Sequence, residues 1–201
     1  LIAQDFREAV LRGDNKEEES AFRSLISCLS PEVSFEVVRE RLMLFLPLFE
    51  AYALDSDWAR RFLEGAAAWF GGTDAVVEPV DFASEAEKHS FAGAGNYVSG
   101  LEDLWLAISR KAERKEFERW IFDAAYDCAM ADLGQLWAKL HPEDWSRSSQ
   151  AFAAAGGRLD KQNLPVLTRV YLAMRADERL RARRVQIWLD VADRIEQLVR
   201  T

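Results

Sequence analysis

The carboxylates at helical spacing are the residues of this chain best placed to do chemistry. Asp123 and Asp127 stand four apart in the segment DAAYD, and Asp190 and Asp193 stand three apart in DVAD. On a helix, either spacing puts both carboxylates on one face. Two helices offering such pairs across a gap can hold Mg2+ through oxygen ligands, with a diphosphate completing the coordination. Asp127 is the least compensated of the four, because no basic residue lies three or four positions away on either side. Asp123 has Arg119 at i−4 and Asp190 has Arg194 at i+4, the ordinary pairing of a solvated helix face.

The two-pair pattern is similar to the acidic helix motifs of the squalene and phytoene synthase family. The resemblance covers these few residues. It implies a Mg2+-dependent helical enzyme acting on a diphosphate, with Asp123, Asp127, Asp190 and Asp193 holding the metal. No basic motif for gripping a diphosphate stands beside either pair.

Other constellations point away from catalysis. Glu85 and His89 at i, i+4 supply two ligands, whereas a zinc site takes three or four from the protein. Gly93, Gly95 and Gly100 lack the Lys-Ser/Thr ending of a phosphate-binding loop. The chain has no nucleophile elbow, no triad signature and no activated-cysteine pattern. Its clearest basic patch is the line Arg175, Arg179, Arg183, with Arg181 and Arg184 nearby. A solvated face is one reading of that line. The functional reading is a dock for an acidic protein surface, since Arg is favoured at interfaces.

Helices must position all of these groups. Hydrophobic residues make up 49% of the 201, which excludes global disorder. Gly and Pro are scarce and β-branched residues sparse, so the expectation is one all-α domain over residues 1–201, with about eight or nine helices. Its organising stretch runs from Ser99 to Leu140, as one long central helix or two stacked ones. Ser99 and Glu102 form a capping-box pattern there. Asp132, on an otherwise apolar side, is expected to end one segment and cap the next, with Gly134 easing the bend. A lone carboxylate at that place would otherwise need a partner. Ser30-Pro31 reads as a helix start, Ser84 to Glu87 as another capping box, and Asp55 or Ser56 as a further cap. Pro47 is expected to kink or end the third helix. Residues 71–83 read as a loop, with Val76, Val77 and Val80 leaning toward a short strand.

The charge balance narrows the partners. A net charge of −8 makes nucleic acid a poor partner, because phosphate binding needs basic surface. No apolar run approaches the ~18 residues of a membrane span. Cys28 and Cys128 are far apart, which fits free thiols in a reducing cytoplasm better than a disulfide scaffold. The leading expectation is a non-enzymatic protein-binding role, as an adaptor, chaperone-like or immunity-type protein that needs no cofactor. Its candidate contacts are Arg175, Arg179 and Arg183 and the acidic run 14–19. The alternatives are the Mg2+ enzyme and a helical protein with an aromatic pocket for a small molecule.

Overall fold

Short polar side chains set where several of the helices begin, and apolar periodicity sets which way they face. The computed structural model describes residues 2–53, 57–72, 80–154 and 164–200. Among these residues it holds ten helices and no strand. They are α1 Gln4–Arg12, α2 Asn15–Cys28, α3 Pro31–Tyr52, α4 Asp57–Phe70, α5 Phe82–Lys88, α6 Ala94–Ser109, α7 Arg114–Leu140, α8 Pro142–Ala154, α9 Leu164–Ala176 and α10 Glu178–Arg200. The Asp14 carboxylate accepts from the amides of Lys16 and Glu17 and opens α2. Ser30 accepts from the Val33 amide and Pro31 takes the first helical position, as the sequence suggests. Asp177 accepts from the amide of Arg179 at the start of α10.

The buried residues form one cluster centred on α6 and α7, which pack along each other and against α3. The central stretch is thus two helices. The chain turns at residues 110–113, inside the charge-dense segment, where burial offers no reason to stay helical. α7 buries Phe117, Ile121 and Ala124 on one side and Phe122, Ala129 and Leu133 on another, with α2, α3, α6, α8 and α10 around it. Arg114 ties its first turn to the end of α2. The guanidinium donates to the backbone oxygens of Ile26, Ser27 and Leu29 at the end of that helix.

Four local readings need correction. Ser99 does not cap a helix. α6 starts at Ala94, behind Gly93 at φ +85°, and Ser99 lies inside it. Gly93 reaches the left-handed region and rests on the α7 backbone at Ala131, a tertiary contact that sets the start ahead of the local pattern. Nor does Asp132 break α7, which runs through it without a new cap. Its carboxylate instead takes two hydrogen bonds from Arg183, at 2.9 and 2.6 Å, with Arg41 at 3.5 Å. That ion pair supplies the partner a carboxylate on that side requires. Asp81, not Ser84, caps α5, accepting from the Ser84 amide. Of the two outcomes expected at Pro47, the end is the one overturned: α3 runs on to Tyr52, because Phe45, Leu46 and Phe49 are buried on both sides of it and outweigh the ~3 kcal/mol that an interior proline costs. The proposed cap at Asp55 or Ser56 and the valines at 76 and 77 lie outside the described residues.

Candidate functional site

A groove lined by aromatic side chains lies between α2, α7, α9 and α10, closed at one end by the last turn of α1. Its volume is about 490 Å³. The α7 wall is the row Phe122, Tyr126, Ala129, Met130 and Leu133, spaced for one helical face. The α10 wall is Leu180, Arg181, Arg184, Val185 and Trp188, the boundary between that helix's apolar and polar sides. Phe22 of α2 floors the groove. Its ring centroid lies 5.7 Å from that of Phe122 and 5.0 Å from that of Trp188. Tyr171, Met174 and Arg175 of α9 form the outer wall.

The floor is core while the mouth is open. Phe22, Phe122 and Trp188 are buried, yet Tyr126 is 44% and Tyr171 47% exposed. One ion pair, buried at its Glu18 end and half-buried at Arg184, anchors the polar side. Arg184 donates twice to the Glu18 carboxylate, at 3.1 and 2.7 Å. Burial nevertheless raises the Glu18 pKa, with the bonds from Arg184 and Trp188 opposing it. Arg23 lies 3.7 Å over the Phe122 ring and pairs with Glu19, so that cation is held by the wall. Arg175 sits 5.7 Å from the Tyr171 ring.

The arginine line divides among three environments. Arg175 lines the groove. Arg179 pairs with Asp177, whose carboxylate also meets the His141 ring nitrogen at 2.9 Å. These two neighbours hold the Asp177 pKa far below the usual carboxylate range. Arg183 is the partner of Asp132.

The two Asp pairs have different partners. Asp123 faces Arg23 and Arg119, at 3.8 and 3.9 Å. Asp127 has no ion-pair partner among the described residues and accepts only a long 3.4 Å bond from Asn96 of α6. Burial, with Asp123 adding repulsion against that bond, pushes Asp127 up to about 6. Asp103 of α6 belongs to the same cluster; burial first, then Asp127 and Asp123, push it up to about 7. Asp190 and Asp193 line a shallow trough between α3 and α10, where Gln186 donates to Asp190 and Arg7 pairs with Asp193. No hydrogen bond or ion pair joins one Asp pair to the other, and neither groove is lined by members of both. No group of three or more His, Cys, Asp or Glu is placed to hold a metal ion among the described residues. His89 lies edge-on to Phe49, with its Nε2 3.6 Å from Glu85.

Sequence reasoning did not single out Asp103, Tyr126 or Trp188 as site residues, and it took in Lys16 only as part of the run 14–19. Trp188 carried one signal, its place four residues beyond Arg184 at the edge of an apolar face. No protein-family model matches the chain, and no curated protein or solved structure is significantly similar to it.

Proposed function

We propose that this protein is a non-enzymatic protein-binding module, of the adaptor, chaperone-like or immunity type, that receives a segment of its partner in the groove between α2, α7, α9 and α10. The observation carrying this reading is the open aromatic mouth over a core-like floor. Tyr126 and Tyr171 remain about half exposed beside buried Phe22 and Trp188. A concentrated aromatic surface of this kind marks interaction sites, and buried aromatic anchors carry most of the energy of protein contacts. Many surface charges elsewhere are paired with one another, as in Arg194 with Glu40 and Arg60 with Glu50.

Site-specific photocrosslinking tests it. A photoreactive phenylalanine analogue at Tyr126 or Tyr171 is expected to trap one polypeptide in the cells that make the protein. The same analogue at Tyr52, an exposed aromatic outside the groove, is expected to trap none. Equal trapping from all three positions, or none from the groove, refutes the reading. The cavity volume favours a second reading, a small-molecule binder, because ~300–1,000 Å³ is the usual range for ligand pockets. Native mass spectrometry of the purified chain tests it: a non-covalent adduct lost on Tyr126→Ala is the expected sign.

A further inference from the structure

The groove is basic in an acidic protein. Its lining includes five cations, Arg12, Lys16, Arg175, Arg181 and Arg184, against the two carboxylates Glu18 and Glu19, while the whole chain carries a net charge of −8. Internal pairing uses only part of this excess. Arg184 is held by Glu18, and Arg12 by Glu17. Lys16, Arg175 and Arg181 have no carboxylate within ion-pair distance among the described residues, although acids outnumber bases in the chain by 34 to 26. An unpaired basic rim around an apolar floor is complementary to a ligand with the reverse arrangement, an apolar stripe flanked by carboxylates.

The length of the groove favours a helix. The α7 wall extends from Phe122 to Leu133, roughly 16 Å at 1.5 Å per residue, which matches three helical turns. A helix laid there presents anchors at i, i+3 or i+4, and i+7 to the aromatic floor. Its flanking acids then meet Arg175 and Arg181 on one side and Lys16 at the end. A second copy of the chain is a poorer occupant, because the acidic start of α2 is already held by Arg184, Arg12 and Arg23.

We infer that the groove receives an acidic amphipathic helix of a partner protein, with its apolar stripe on Phe122, Tyr126 and Trp188 and its carboxylates against Lys16, Arg175 and Arg181. This inference rests on the protein-binding reading and adds the chemistry of the partner.

The test uses the full chain and three fluorescein-labelled peptides of about 15 residues, long enough to cover the wall. They share one leucine stripe and carry Glu, Gln or Lys at the polar positions. Fluorescence polarisation is expected to show the Glu peptide binding about tenfold tighter than the Gln peptide, the sum of three individually weak rim pairs. The Lys peptide is expected to bind weakest. The preference should shrink as salt rises from about 0.05 to 0.3 M, where screening shortens to a few ångströms. The triple variant Lys16→Glu, Arg175→Glu, Arg181→Glu should reverse the order, with its circular dichroism spectrum and melting temperature showing that the fold is kept.

Equal affinity for all three peptides overturns the acidic assignment and leaves the groove reading standing. If no peptide binds while Tyr126 still crosslinks to a partner, the helical assignment falls and the protein-binding reading survives. If both experiments fail, both are refuted. Concentration-dependent dimers in sedimentation analysis, abolished by the triple variant, make a second copy the occupant and overturn the inference.

Discussion

Replacing Gly93 with alanine tests the placement of the central hairpin. Gly93 has φ +85°, and an L-residue there costs ~1–2 kcal/mol of backbone strain. A methyl group would also meet the neighbouring helix. The added Cβ would lie 3.0 Å from both the Cα and the carbonyl carbon of Ala131, and closer still to its carbonyl oxygen. Those atoms are backbone inside α7 and cannot swing aside, so α6 must lift away from α7, at an overpacking cost of ~1–3 kcal/mol. The total is about 2–5 kcal/mol, which for a chain of this size lowers the melting temperature by roughly 4–20 °C. Gly13→Ala is the internal control. Gly13 has φ +76° and nothing within 4 Å of its added Cβ, so only the strain contributes, roughly 2–8 °C. Urea unfolding followed by circular dichroism and tryptophan fluorescence measures both variants. If their stabilities agree to within about 0.5 kcal/mol, the usual scatter for independent sites, α6 does not rest on Ala131 and the hairpin is wrongly placed.

Asp103 gives a pH signature. Its pKa is raised to about 7 from the ordinary 3.8, so the folded state holds the proton across a window where the unfolded state has lost it. Stability from this group therefore falls as pH rises from about 4 to 7. Asp103→Asn should stabilise the protein at pH 8 by about 1 kcal/mol after allowance for screening of a partly exposed group, and by nothing near pH 4. Thermal melts across that range check it, and a pH-independent difference rules it out. Asp132→Ala leaves Arg183 and Arg41 without their carboxylate and should cost about 2 kcal/mol, less than a fully buried pair because Arg183 is partly exposed. A loss under about 0.5 kcal/mol, the level of an ordinary surface change, would mean that the pair contributes nothing. A thiol reagent should label the exposed Cys28 quickly. Cys128, buried and pushed up to about 12, should react only on unfolding.

What the sequence could disclose depended on how far away the deciding partner lies. The α10 face was legible because Leu180, Ile187, Val191 and Ile195 repeat at helical spacing and are buried as that spacing demands. Ser30-Pro31 was legible because a cap and its amide are three residues apart. Asp132 was misread because its partners, Arg183 and Arg41, lie 51 and 91 positions away, and no local pattern signals them. Ser99 offered a sound local cap, but Gly93 pressed against Ala131 took precedence through a contact that only the packed hairpin reveals. The groove was least legible. Its walls come from widely separated parts of the chain, and what distinguishes it is the gap left where they do not quite close.

One of those walls is held lightly. Among the α9 side chains that the structure describes none is fully buried, and Val170 and Met174 are only half-covered where they meet the core. If these described contacts are what docks it, α9 opens at a small fraction of the global unfolding free energy. Amides of α9 should therefore exchange with deuterium far faster than those of α6 and α7. The 490 Å³ of the groove is then one value of a fluctuating width. A helix is about 10 Å across with its side chains, and it can enter by displacing α9 outward. The free energy of that opening is deducted from the affinity. A variant that pinned α9 to the body in its present position would thus bind a slim ligand more tightly and exclude a bulky one.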